Sequence, residues 1–374
     1  MPEYFYTATD QSGKRETECI QAASAQEALH QLKTDEYHDI VLHTDDIAAA
    51  TLELMPRKVS TKGPISPADF IALRNMSSGG VFLLTLKKLY QRFFWIFLFG
   101  SFFIFLVDRE SDRLVSSLVV LTVPLILFPP LIALLTTLFT PASKYNRILE
   151  DLCWGRWNEA LKRLPQIRKK LPPMEFASRQ AAALAGLGKL DEALEVMEPF
   201  SDASKIPHWL YLTRLAEMYE SANQLERSLE CRVQAYEGDP GNSALQLGYA
   251  NTLLKLDQDT ERAQELIEEI EQQQLSDILE TVFPLAKGLL ELNRRNYQRA
   301  VQQLTEAENR LKPLVKNQPF SRLYTDVARA YTAIALAELG ETEKAEALYQ
   351  LALPRLKALN SKRTMKRYEV AVKR

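Results

Sequence analysis

The residues that could carry chemistry are few, and their spacing argues against each of the usual sites. Gly188-Lys189, inside GLGKLD at 186–191, has the glycine–lysine pair of a phosphate-binding loop. It lacks the G-x-x-x-x-G-K-[ST] spacing whose backbone N–H groups would cradle a phosphate. The four histidines, His30, His38, His43 and His208, lie neither in an H-E-x-x-H arrangement nor beside a cysteine pair, so no metal-ligand set is expected. No G-x-S-x-G elbow is present to expose a nucleophilic serine. Cys19, Cys153 and Cys231 are odd in number and far apart, which suits a reducing compartment better than a disulfide framework. The carboxylates recur along helical faces as i, i+4 partners of basic residues would. No catalytic residue, cofactor or metal is expected, and the chain reads as a binding protein. No basic–aromatic face stands out, so nucleic acid is not among the expected partners.

The elements that would position a binding surface are uneven along the chain. Over all 374 residues the formal charge is −2, with 46% apolar and 25% charged residues, an ordinary globular balance. Much of the apolar content is concentrated in 86–139. The start, MPEYFYTATD, has neither a basic n-region nor an apolar h-region, so no cleavable signal is expected. Residues 93–107 carry no charge and cover about 22 Å as a helix, against about 30 Å for a bilayer core. Extension back to Leu86 with a snorkelling Arg92, followed by the charge-free run 114–139, predicts a two-helix transmembrane hairpin (86–107 and 114–139) closed by a charged turn at 108–113. Lys87, Lys88 and Arg92 before it, with Lys144, Arg147 and Arg156 after it, place both termini in the cytoplasm by the positive-inside rule. The expected localisation is therefore a bacterial-type inner membrane, multi-pass, with the lipid bilayer as one partner. Gly100-Ser101 and Ser116-Ser117 would let such helices approach, which makes self-association a further expectation.

Beyond Pro141 a short element recurs: GRWNEAL (155–161), GKLDEAL (188–194), NQLERSL (223–229), QDTERAQ (258–264), RNYQRAV (295–301) and GETEKAE (340–346). Steps of about 33 to 45 residues are the spacing of helix–turn–helix repeats. Gly155/Trp157/Ala160, Gly188/Leu190/Ala193 and Arg295/Tyr297/Ala300 carry the pattern of a turn residue, a wedge and a small helix-B residue. Over 144–358 the chain thus resembles the tetratricopeptide repeat family. The resemblance implies an all-α solenoid of about six repeats whose first helices line a groove for a protein partner. On that alignment Arg179, Arg214, Glu217, Tyr249 and Tyr331 are the groove candidates. The family's carboxylate-clamp positions hold Ser178, Ala182, Thr213, Glu217, Leu285 and Leu289, so a C-terminal carboxylate ligand is not implied.

At the other end, YFYTAT (4–9) alternates as a strand, DQSG (10–13) turns, and KRETECIQA (14–22) and DIVLHT (39–44) read as further strands. Between them Ser24 and Glu27 form a capping box for a helix. With Phe5, Tyr6, Ala8, Asp10, Gly13, Ala23, Ala25, Glu27, Ala28 and Leu32 at the matching positions, this β-β-α-β unit resembles the N-terminal module of the inner-membrane platform proteins of type II secretion and type IV pilus assembly. The expected architecture is a multidomain membrane protein: a small α/β module (1–46), a linker and short helix (47–85), the hairpin (86–139), the solenoid (144–358) and a basic tail (359–374). Its expected role is a membrane-anchored scaffold or adaptor, or alternatively an accessory component of a secretion or pilus machine.

Overall fold

Alternation in the first residues is realised as a strand whose Tyr4, Tyr6 and Ala8 face a helix and are all buried. The structure, a computed structural model, describes residues 3–44, 78–108, 120, 123, 126–135, 141–202, 206–316 and 318–374. Strand β1 (Glu3–Thr9) pairs antiparallel with both β2 (Arg15–Gln21) and β3 (His38–Leu42), giving the sheet order β2-β1-β3. Helix α1 (Ala25–Thr34) covers one face with Ala25, Ala28 and Leu32. Its cap forms much as the sequence suggests: Ser24 Oγ accepts from the Glu27 N–H, an open donor of the first turn, and Glu27 Oε2 reaches back to the Ala23 N–H, one residue before the cap.

The chain divides into two units, 1–71 with 148–374, and 72–147. The second holds α2 (Ser78–Asp108), a single helix of 31 residues, with Tyr90 Oη donating to the Ile126 carbonyl at 3.1 Å. Among the described residues no helix is long and apolar enough to cross a membrane. This overturns the expected transmembrane hairpin and, with it, the membrane fold class and the multi-pass inner-membrane localisation with cytoplasmic termini. The physical reason is visible in α2: Lys87, Lys88 and Arg92 confine its charge-free run to 93–107, which falls short of a bilayer core by about 8 Å. Of the second apolar run only Val120, Val123 and 126–135 are described. The turn at 109–113 and the linker at 47–77 lie outside the described residues.

The remainder is helical: α3 (Pro141–Cys153), α4 (Trp157–Arg163), α5 (Pro173–Gly186), α6 (Leu190–Met197), α7 (His208–Ser221) and α8 (Leu225–Gly238). It continues with α9 (Ser243–Leu256), α10 (Thr260–Glu271), α11 (Asp277–Asn293), α12 (Tyr297–Leu311), α13 (Pro319–Glu338), α14 (Thr342–Ala358) and α15 (Lys362–Val372). These pack as successive hairpins, α5 on α6, α7 on α8, and so on to α13 on α14. Each quoted sequence element falls on a hairpin turn. Gly155, Gly188, Asn223, Arg295 and Gly340 all adopt positive φ there, which is why glycine or asparagine recurs, and Arg295 is the strained exception. In the remaining turn the left-handed residues are Asp257 and Asp259, one place either side of the alignment. Five residues into each element, Ala160, Ala193, Ser228, Ala263, Ala300 and Ala345 have no exposed surface, so only a small side chain lets the paired helices approach.

The array closes on itself. Arg355 of α14 is 1% exposed; its Nε donates to Asp326 Oδ2 at 2.7 Å and its Nη1 to the Cys153 carbonyl at 2.6 Å, and its guanidinium lies 3.7 Å from the Trp154 ring centroid. A Cβ on Gly155 would collide with the Ala358 carbonyl. Arg322 reaches Glu150 at 2.8 Å, and Asn223 donates to the Asn360 carbonyl. The basic C-terminus is helix α15: Tyr368 stacks on Tyr349 at 3.6 Å, and Arg363 and Arg367 bond the Leu256 carbonyl and Asn293. Truncating a buried ion-pair partner strands the other charge. Arg355→Met is therefore expected to lower unfolding free energy by about 3–5 kcal/mol, measured by urea denaturation.

Candidate functional site

Because the hairpins stack with their first helices inward, side chains of α5, α7, α9, α11 and α13 face one interior cavity of about 460 Å³. Of the groove candidates, Arg179, Glu217 and Tyr331 line it. Arg179 and Glu217 belong to a four-membered ion cluster that ties α5 to α7. Arg179 contacts Glu175 at 2.7 Å and Glu217 at 3.3 Å, while Arg214 contacts Glu175 at 2.7 Å and Glu217 at 2.8 Å. Arg214 is 6% exposed and serves this cluster rather than the cavity wall. Tyr249 packs against Tyr236 with ring centroids 5.7 Å apart, away from the cavity lining. Tyr331 is buried, its hydroxyl 3.5 Å from Thr364 Oγ1. Arg179, Glu217 and Tyr331 thus belong to the cavity wall, Arg214 to the ion cluster alone, and Tyr249 to neither.

Sequence reasoning missed Glu220, Arg232, Lys255 and Tyr324, which meet in the same cavity. Glu220 Oε1 accepts from Arg232 Nε at 3.2 Å and Nη2 at 2.7 Å, and Lys255 Nζ lies 3.6 Å from Glu220 Oε2. Burial pushes the Glu220 carboxyl up, but Lys255 and Arg232 outweigh it and hold the group at about 2. Burial and the adjacent Glu220 push the Tyr324 phenol up to about 12. The available signal was Gly248: a glycine inside a helix is costly, and here a Cβ would collide with the Arg232 guanidinium. Burial also raises the thiols of Cys153 to about 12 and Cys231 to about 11, so neither is a thiolate near neutral pH. No group of metal-ligating side chains occurs among the described residues.

A second junction joins the α/β module to the array. Asp239, fully buried after α8, accepts from Tyr4 Oη at 3.1 Å, from the Ala25 N–H at 3.1 Å and from Asn242 Nδ2 at 3.3 Å. The Ala25 N–H is an open donor of the first turn of α1, so one carboxylate both caps that helix and grips the strand beside it. Gln274, with its amide nitrogen turned toward β3, donates to the Asp39 and Ile40 carbonyls at 3.2 Å. Gly241 abuts Gln26 so closely that a Cβ would collide with it. The domain order read from sequence contained no such contact, since a linker separates the two regions in the chain.

Residues 1–38 match the family model described as Type II secretion system protein F, N-terminal domain. The module's resemblance to that domain is therefore supported by an independent match. No curated protein matches the chain. The family match does not extend to the helical array, so the tetratricopeptide assignment is not shown.

Two outcomes follow. Asp239→Ala would leave Tyr4 Oη and the Ala25 N–H buried without an acceptor, and hydrogen exchange across 3–42 is expected to accelerate by about tenfold or more while the array keeps its protection. Burial raises the Asp239 carboxyl above its ordinary 3.8 despite the three hydrogen bonds. The docked state thus holds its proton more tightly, and docking weakens as pH rises from 3.8 through the raised value. For Glu220 the sign is opposite. Its stabilisation is fully present above 4.5 and is lost as pH falls toward about 2. Glu220→Gln is expected to cost roughly 2 kcal/mol at pH 7 and progressively less below pH 4.5, read from urea unfolding at successive pH values.

Proposed function

We propose that the chain is a non-catalytic recruiting protein, an accessory component of a type II secretion or type IV pilus assembly machine. One observation carries the reading: the module matched to the secretion protein F N-terminal domain is held by Asp239 against the helical array. A module that only needed to be near the array could hang on a linker. A buried carboxylate with three donors instead fixes its orientation, as a component that presents two surfaces in one register requires. In this reading the module faces the machine and the array receives a protein partner. Helical-hairpin arrays suit that task because each hairpin adds surface without needing a new core. The charged groups of the cavity serve structure and recognition, and none is required to do covalent chemistry.

The reading is tested by cross-linked capture from native cells with the full chain and with a chain lacking 1–44, followed by mass spectrometry. Secretion or pilus subunits are expected with the full chain and at least tenfold fewer without the module. Capture of the same subunits by both chains would contradict the assignment of the module as the machine-facing part.

A further inference from the structure

The interior cavity holds polar groups that neither its ion pairs nor its packing account for. Trp209 and Thr44, each 7% exposed, and Asn251 all line it, and Trp209 Nε1, Thr44 Oγ1 and Asn251 Oδ1 have no hydrogen-bond partner. Buried polar atoms are nearly always paired; these three are sealed from the cavity space, and it is the charge of the wall that points to a ligand. The wall is unevenly charged. The cavity is lined by Arg179, Arg232, Lys255 and Arg363 but only by Glu217 and Glu220. Arg363 has its own carboxylate in Glu226 at 2.7 Å, and Arg179 has Glu175. Arg232 and Lys255, however, share Glu220, and Lys255 stands off at 3.6 Å. That trio carries one positive charge more than it neutralises. Tyr324 faces it from α13, and among the described residues its hydroxyl makes no hydrogen bond. The rest of the wall is aliphatic, including Val282, Leu285, Leu323 and Val327.

We propose that this cavity binds a small molecule carrying a carboxylate on an apolar body. Lys255 Nζ and Tyr324 Oη donate to the carboxylate, which supplies the negative charge that Glu220 alone cannot. The apolar body lies along Val282, Leu285 and Val327. A volume of about 460 Å³ is within the range of small-molecule sites and too small for a folded element of a partner. Closure of the array by Arg355 makes this a half-buried site between facing helices, and the proposal stands independently of the partner-recruiting reading.

The test is calorimetric titration of the full chain with octanoate, octan-1-ol and octylamine, which share an apolar body and differ in head group. Octanoate is expected to bind saturably at one site, with the alcohol and the amine at least tenfold weaker. Lys255→Met and Tyr324→Phe are each expected to weaken octanoate at least fivefold. Tyr324→Phe deletes a hydroxyl that has no partner, so an unchanged melting temperature in that variant separates binding from folding even if Lys255→Met unfolds. No saturable octanoate binding, equal binding of the three probes, or wild-type affinity in Tyr324→Phe would overturn the proposal. So would binding lost on Phe99→Ser/Phe103→Ser, which alters the exposed apolar face of α2.

Discussion

The guanidinium of Arg355 is the group on which the arrangement of the array depends. It joins α14 to α13 through Asp326 and to the turn after α3 through the Cys153 carbonyl and the Trp154 ring. The last hairpin is thereby fixed to the first. A stack of hairpins has no intrinsic reason to stop curving at this point, because each repeat contacts only its neighbours. Burial of a guanidinium is unfavourable unless its donors are used; Nε and Nη1 of Arg355 are, while its Nη2 has no hydrogen-bond partner, so losing either of the two bonds would leave the charge poorly compensated. Gly155 reinforces it, since the turn can approach the Ala358 carbonyl only without a side chain.

Closure changes what the inner helices do. In an open array the first helices of each hairpin would present a continuous groove. Here α13 faces α5 and α7, with Arg179 placed 6.0 Å from the Phe320 ring. The interior becomes a half-buried space in which ion pairs are screened less than at the surface, and Lys255 and Arg232 can hold the Glu220 carboxyl well below its usual range. The excess cation of that trio and the Tyr324 phenol face this same interior. The module is held by Asp239, and its Thr44 reaches the cavity wall.

What the sequence made legible was local. The alternation of Tyr4, Tyr6 and Ala8, the Ser24–Glu27 capping box and the positive-φ turn residues five places before a buried small residue all act over a few positions. What it did not make legible was distant. Asp239 meets Tyr4 across 235 residues and Arg355 meets the Cys153 carbonyl across 202, and no periodicity in a single chain encodes such pairs. The position of Arg214 on α7 predicts a groove residue, yet its ion pairs hold it in the cluster that ties α5 to α7 and off the cavity wall. The high charge of 359–374 predicts a basic tail, but Tyr368 and Ala371 give α15 a buried face. The apolar run in α2 predicts a span only when extended back to Leu86 past Arg92, and among the described residues no helix is long and apolar enough to cross a membrane.

The closed array is tested most directly by an intramolecular cross-link between α8 and α15. Glu226 and Arg363 are 137 residues apart in the chain, and their side chains meet at 2.7 Å. With both replaced by cysteine, in a chain whose exposed Cys19 is changed to serine, a short bis-maleimide should join 226 to 363 within a single molecule, identified as a linked peptide by mass spectrometry. The closed arrangement predicts that this link forms in the monomer and is lost with Arg355→Met. Cysteines that react singly, or link only between molecules, would show an open array and contradict it.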